Sequence, residues 1–281
     1  MTPAMLDIHD HNRDSAGMTY VYPVLSRRAG GVSIGINLNV NNACNWACIY
    51  CQVPGLTRGG PPLVDLARLE TELRDFLRNA ISGDFLDRNA PAGYRQLVDL
   101  AFSGNGEPTS AREFPDAVEI AGQVLKAFDL LDRLKLRVIS NGSLMRQARV
   151  QRGIARVGEL GGEVWFKIDR GTAEGIRRIN GIHTTPDKIR QAVSTCSQRA
   201  PTWIQTCLFR IDDAPPDPAE FDAYLDLIAA IKKQIEGVHL YGLARSSRQP
   251  EATRLSAQSA ESLSLFAQSI ASLGVRVITN Q

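Results

Sequence analysis

The sequence lacks the features that mark a secreted, membrane-spanning or broadly nucleic-acid-binding protein. Residues 1–17 carry acidic and basic side chains and have no apolar core of the kind that a signal peptide needs. No stretch reaches the roughly 18 apolar residues of a membrane span. The net charge is only +2, from 32 Lys and Arg against 30 Asp and Glu, so no broad basic surface for RNA is expected. We therefore expect a cytoplasmic protein that makes no use of a membrane.

Cysteine is scarce, and its distribution is uneven. There are five cysteines, an odd number for a disulfide scaffold, and Cys44, Cys48 and Cys51 fall within eight residues. In a reducing compartment such a group is more typical of metal binding than of disulfides. Cys196 and Cys207 are too few to ligate a second four-iron cluster by themselves.

Short β-branched runs alternate with longer helical patterns, and this rhythm predicts repeated βα units with parallel strands. The expected strands are 33–40, 97–103, 136–140, 164–168, 203–210, 238–243 and 275–279. The fold class is therefore α/β, as a partial (β/α)6 TIM-like barrel over residues 31–281, preceded by an N-terminal extension over residues 1–30. A site in such a barrel lies at the carboxyl ends of the strands.

The spacing of Cys44, Cys48 and Cys51, directly after the first expected strand, leaves three interpretations open. The thiols can hold an iron–sulfur cluster, whose fourth iron then lacks a protein ligand and can bind a small molecule. They can hold a structural zinc together with a distant histidine. They can also pack as one face of a helix in the core, because positions i, i+4 and i+7 share a helix face.

The pattern Cys-x-x-x-Cys-x-aromatic-Cys in a loop after a strand resembles the signature of the radical S-adenosylmethionine (SAM) superfamily. The resemblance implies a four-iron four-sulfur cluster on Cys44, Cys48 and Cys51, whose open iron is chelated by SAM. It also implies reductive cleavage of SAM to a 5′-deoxyadenosyl radical that abstracts hydrogen from a substrate. An electron-transfer iron–sulfur protein, without SAM cleavage, is the other alternative to this enzyme.

Further segments resemble the SAM-binding parts of that family. Ser103-Gly104-Asn105-Gly106-Glu107 is similar to the glycine-rich segment that holds the SAM amino group, and alone it is a weak signal because it matches no dinucleotide or phosphate loop. Other segments are similar to those lining the SAM methionine and ribose. The cofactor-binding residues implied are Tyr50, Gly106, Glu107, Ser140, Asn141, Lys167, Asp169 and Gln205.

Within the superfamily, the sequence is most similar to the wybutosine-synthesis-like iron–sulfur oxidoreductases, through Asn-Ala-Cys-Asn, Gly-Glu-Pro-Thr and Arg178-Ile179-Asn180. It departs from them at Arg245-Ser246-Ser247, where an Arg-Pro-Pro-like end of the sixth strand is expected, and it carries no flavodoxin-like or RNA-binding domain. These departures disfavour a tRNA substrate. The resemblance implies an electron donor such as flavodoxin or ferredoxin, and a small-molecule, peptide or nucleoside substrate.

The residues that contact the substrate carry no motif. Period-two alternation places His239, Tyr241 and Arg245 on one face of the sixth strand, so they are substrate-side candidates. Cys207 on the fifth strand is a candidate hydrogen-atom donor, with a buried apolar role as the alternative.

Overall fold

One curled sheet organises the chain, with its strands in the order β1-β2-β5-β6-β7-β8-β9-β11. The computed structural model describes residues 5–6, 17–26 and 30–280. All neighbouring strands of this order are parallel except β1, which is antiparallel to β2, and a short strand β10 is added antiparallel to β8. The strands are β1 (Val21–Ser26), β2 (Gly31–Ile36), β3 (Ala43–Cys44), β4 (Thr57–Arg58), β5 (Leu97–Phe102), β6 (Lys135–Ser140), β7 (Glu163–Lys167), β8 (Thr202–Ile211), β9 (Gly237–Gly242), β10 (Leu255–Ala257) and β11 (Val277–Asn280).

Helices connect the parallel strands and cover the outer face of the sheet. The α-helices are α1 (Leu66–Ser82), α2 (Phe85–Asn89), α3 (Phe114–Ala127), α4 (Ala148–Glu159), α5 (Ala173–Asn180), α6 (Pro186–Ser197), α7 (Pro218–Ile231) and α8 (Ala260–Ser272). Their apolar faces are buried, as in α1, where Leu69, Leu73 and Leu77 recur at helical spacing. No described helix is long and apolar enough to cross a membrane.

Alternation along the strands separates an apolar outer face from a more polar interior. Even-numbered residues such as Leu100, Val138 and Phe166 are buried in the core beneath the helices. Odd-numbered residues such as Asp99 and Lys167 line a cavity inside the curl of the sheet. Because side chains alternate between the two faces of a strand, the same strands build both the core and the site.

The predicted α/β partial barrel of parallel strands is confirmed, and all seven expected strands are present. The first of them was predicted too long, because β2 ends at Ile36 and not at residue 40. Beyond it, the side chain of Asn37 accepts hydrogen bonds from the backbone N–H groups of Asn39 and Asn105, both at 3.1 Å. These side-chain bonds replace ladder pairing and turn the chain toward the cysteines.

The sequence pattern did not reveal β1, whose residues fall within the predicted N-terminal extension. Pro23 interrupts its β-branched run, and proline is tolerated here because β1 is the edge strand of the sheet. The carboxylate of Glu72 on α1 accepts from the backbone N–H of Tyr20 at 2.7 Å and so fixes the entry to the strand. The rest of the extension, apart from residues 5–6, 17–20 and 30, lies outside the described residues.

Candidate active site

A cavity of about 590 Å³ fills the inside of the curled sheet. It extends from the loops at the carboxyl ends of the strands down to polar side chains deeper in the barrel, including Asp99 and Arg137. The predicted site residues that line it are Cys44, Cys48, Tyr50, Cys51, Gly106, Glu107, Asn141, Lys167, Cys207, Tyr241 and Arg245. The fold therefore brings together most of the residues that the sequence singled out, at the end of the barrel where a site was expected.

Hydrogen bonds fix the backbone of the loop that carries the three cysteines at several points. The N–H of Ala47 donates to Asn180 O at 3.0 Å, and that of Ile49 donates to Ile179 O at 2.9 Å. On the other side, the hydroxyl of Ser247 donates to Ile49 O at 2.7 Å. The loop is thus held between the end of α5 and the segment after β9.

The three thiols are half-buried, and for Cys44 and Cys48 this environment disfavours the free thiolate. Burial raises the pKa of Cys44. Burial also raises the pKa of Cys48 to about 12, against the opposing effect of the nearby Lys167 ammonium. A bound cation reverses this preference, because metal ligation requires the deprotonated thiol. Cys48 is therefore expected to release its proton when it binds metal.

Among the described residues, no three His, Cys, Asp or Glu side chains converge as ligands of one metal ion. A single tetrahedral zinc needs thiolate ligands about 4 Å from one another, since each Zn–S bond is about 2.3 Å long. In a four-iron cluster each cysteine binds a different iron, so its thiols stand further apart. The three thiols thus lie on one cavity wall without forming a site for a single metal ion.

Glu107 organises the turn that faces the cysteine loop. Its buried carboxylate accepts from Thr109 N at 3.1 Å, Thr109 Oγ1 at 2.6 Å, Ser140 Oγ at 2.8 Å and Asn141 N at 2.6 Å. Burial raises the pKa of this carboxyl, although the four donors favour the charged form. Glu107 thus joins the ends of β5 and β6, and Ser140 contributes to this junction without lining the cavity.

Gly106 is required by the close approach of this turn to the cysteine loop. A Cβ on Gly106 would clash with the carbonyl oxygen of Ala43 and lie 2.6 Å from Asn39 Nδ2. Any larger residue would push the turn away from Cys44, so the glycine sets the distance between the two parts of the site.

Asn105 presents an unsatisfied acceptor in this part of the site. Its Nδ2 donates to Asn42 Oδ1 at 2.6 Å, while its buried Oδ1 has no hydrogen-bond partner among the described residues. A buried acceptor without a donor costs about 1–3 kcal/mol. Asn105 lines the cavity beside Glu107.

A second polar group lies on β7 and β9. Lys167 Nζ donates to Tyr241 Oη at 3.1 Å and lies 5.0 Å from the ring centre of Tyr50. Burial lowers the pKa of Lys167, but Tyr241, Asp169 and the neighbouring thiols outweigh burial and raise it, so the amine is charged. Lys167 therefore offers a cation and hydrogen-bond donors to a ligand in the cavity.

Asp169 lies behind the cavity wall and connects three of its parts. Its carboxylate accepts from Tyr50 Oη at 2.5 Å, Asn180 Nδ2 at 2.8 Å and Cys207 N at 3.0 Å. It does not line the cavity itself. Its position indicates support of the cysteine loop and of β8.

Two further predicted residues are not on the cavity wall. Gln205 is buried in β8 between Lys167 and His239 in the sheet register. The ring of His239 lies between those of Trp165 and Trp203, with centroid distances of 4.5 and 4.8 Å. Both lie within the barrel, where they support the wall of the cavity.

Sequence reasoning missed several polar residues of the site. Asn105 and Asn180 each belong to a segment that carries the family resemblance, but neither was predicted to have a role of its own. Amide side chains at the ends of strands and helices are a signal that could have pointed to them. Asp99 and Arg137 form a buried ion pair on the cavity wall, and Arg137 also contacts Glu163 at 2.7 Å. A charged residue at an inward position of a parallel strand is the pattern that could have revealed this pair.

The fold is that of solved radical SAM enzymes. A radical SAM methyltransferase from Sphaerobacter thermophilus has a TM-score of 0.59 at 13% identity, over 92% of this chain and 68% of that chain. TYW1, solved with a lysine-pyruvate adduct bound, has a TM-score of 0.60 at 17% identity, over 85% of this chain and 73% of that chain. The FeFe-hydrogenase maturase HydG from Carboxydothermus hydrogenoformans has a TM-score of 0.52 at 12% identity, over 88% of this chain and 53% of that chain.

The sequence itself matches no protein-family model, and no curated protein is significantly similar to it. At 17% identity or less, the structural likeness defines the fold. The activity must be argued from the residues of the cavity.

Proposed function

We propose that the chain is a radical SAM enzyme that binds one four-iron four-sulfur cluster through Cys44, Cys48 and Cys51. The observation that carries this proposal is that all three thiols line the same cavity as the Gly106-Glu107 turn, in a fold shared with radical SAM enzymes. Three cysteines leave one iron of a four-iron cluster without a protein ligand. That iron is the position for SAM.

The chain's own residues fit the polar groups of SAM. The orphaned Oδ1 of Asn105 matches an ammonium donor, and Asn105 lies beside Glu107 on the cavity wall. Lys167 and Asn141 offer donors to carboxylate and hydroxyl oxygens, and the Tyr50 ring offers an apolar surface beside them. When bound, the reduced cluster supplies the electron that cleaves SAM and produces the radical that abstracts hydrogen from the substrate.

The substrate side of the cavity is formed by Cys207, Tyr241 and Arg245. Tyr241 and Arg245 offer hydrogen-bonding groups, and the Cys207 thiol is the proposed hydrogen-atom donor. His239 acts through the aromatic stack that supports this wall. The enzyme draws its electron from a donor such as flavodoxin or ferredoxin and acts on a small molecule, peptide or nucleoside, and a tRNA is disfavoured.

The test is anaerobic reconstitution of the purified protein with iron and sulfide, followed by addition of SAM and dithionite. About four irons per chain and formation of 5′-deoxyadenosine are expected for the native protein. Cys48→Ala should lose both, whereas Cys196→Ala, at a buried cysteine away from the cavity, should keep both. Stoichiometric zinc, or a cluster that never cleaves SAM, would show that the proposal is wrong.

A further inference from the structure

Asn180, at the end of α5, points its side-chain amide at one of the three thiols. We propose that Asn180 is a positioning residue that sets the reduction potential of the cluster through a hydrogen bond to the sulfur of Cys48. This inference rests on the proposed function, since it needs a cluster on Cys48. It assigns a role to a residue that lies outside the cysteine motif.

The amide of Asn180 has a fixed orientation. It is buried, and its Nδ2 lies 3.3 Å from Cys48 Sγ and 2.8 Å from Asp169 Oδ2. A side-chain amide has two N–H donors, and each has one acceptor here. If the amide were turned over, its oxygen would face the carboxylate of Asp169, so the carboxylate keeps the N–H groups toward the sulfur.

Asp169 is itself held in place. Tyr50 Oη and the backbone N–H of Cys207 donate to it at 2.5 and 3.0 Å. The acceptor that orients Asn180 is therefore attached to both the cysteine loop and β8, and the amide cannot swing away without breaking a buried network.

The backbone fixes Cys48 against the same helix end independently of the Asn180 side chain. The last carbonyls of a helix have no partner within the helix, and those of Ile179 and Asn180 accept the N–H groups of Ile49 and Ala47, on either side of Cys48. Gly181, with φ of +66°, ends the helix there. A substitution of the Asn180 side chain leaves these backbone bonds in place, so it removes the N–H donor with little change in the position of the thiol.

A hydrogen bond to a cluster sulfur favours the reduced state. Reduction adds negative charge that is shared with the ligating sulfurs, and an N–H dipole stabilises that charge more strongly in a water-poor site. Without this donor the cluster is harder to reduce. Hydrogen bonds to the ligands of a metal centre are among the main means by which proteins tune such centres.

The experiment compares reconstituted, SAM-free clusters by redox titration followed by electron paramagnetic resonance. The variants are Asn180→Leu, which keeps a side chain of similar size but has no donor, and Asn180→Ala, which removes both the donor and most of the side chain. Arg177→Ala, at an exposed position on the same helix, is the matched control. We expect a more negative midpoint potential in both Asn180 variants and no shift in the control.

Each outcome decides the inference. Potentials equal to that of the native protein in both Asn180 variants would overturn it, while SAM cleavage by the native protein would still uphold the proposed function. Folded Asn180 variants that take up no cluster would also overturn it, because a tuning residue leaves the cluster in place. If the native protein takes up no cluster, the proposed function fails and this inference fails with it.

Discussion

The carboxylate of Glu107 offers the sharpest test of how the site is assembled. Glu107→Ala removes the acceptor of four hydrogen bonds, two of which come from the buried backbone N–H groups of Thr109 and Asn141. The two hydroxyl donors can rotate toward other acceptors, but the two amides cannot. The substitution should therefore destabilise the fold even in the absence of any cofactor.

The magnitude follows from the two amides. Each buried N–H left without a partner costs about 1–3 kcal/mol, so the free energy of unfolding should fall by about 2–6 kcal/mol. Water entering from the cavity can satisfy one amide, which favours the lower part of this range. Against a typical total of about 5–15 kcal/mol, such a loss is large.

The assay is urea unfolding of the apoprotein, followed by circular dichroism. The matched control is Glu119→Ala, which removes a half-exposed carboxylate on α3 that pairs with Arg156 at the surface and should change stability by less than about 0.5 kcal/mol. A loss of less than about 1 kcal/mol for Glu107→Ala would refute the reasoning, because it would mean that the carboxylate does not hold the turn between β5 and β6.

Two further predictions concern the same junction. Gly142 has a φ of +70°, and in Gly142→Ala the new Cβ would clash with the ring of Phe166. The control is Gly161→Ala, which has the same φ but open space around it, and the loss of stability in urea unfolding should be larger for Gly142→Ala by about 1–3 kcal/mol. Equal losses in the two variants would contradict this prediction. Burial raises the pKa of Glu107 above its ordinary value of 4.5, so above that pH the folded state keeps a proton that the unfolded state has released, and stability is lost as pH rises toward the folded pKa. The stability of the native protein relative to Glu107→Gln should accordingly fall as the pH rises above 4.5, and a difference that stays constant with pH would contradict the assignment.

Sequence periodicity predicted the fold well where a local pattern reflects burial. The strand β7 has two faces that can be read directly, since Val164 and Phe166 pack in the core while Trp165 and Lys167 face inward. Such alternation is a property of any strand with two different environments. It failed at β1, where Pro23 weakens a pattern that only pairing with β2 makes clear.

That the three cysteines and Glu107 would meet at one cavity could be predicted from the residue types and their positions after strands. The site was not predictable where a residue acts through a distant partner. Asn180 is 132 positions from Cys48, and Asp169 is 119 positions from Tyr50, so neither contact leaves a local pattern in the sequence. Gln205 and His239 show a different limit of the sequence pattern. Strand alternation predicts which side of the sheet a side chain faces, but it does not predict whether other side chains cover it and keep it off the cavity wall.

The curled sheet has two ends, and both contribute to the cavity. Val24 and Ser26 on β1, and Thr279 and Asn280 on β11, are among the lining residues, yet these two strands are not hydrogen-bonded to each other. Neighbouring strands of the cavity wall are joined by ladder hydrogen bonds, and the one gap in this ladder among the described strands lies between β1 and β11. A larger ligand can be accommodated along this gap without the loss of a ladder hydrogen bond, because no pair of strands has to separate there.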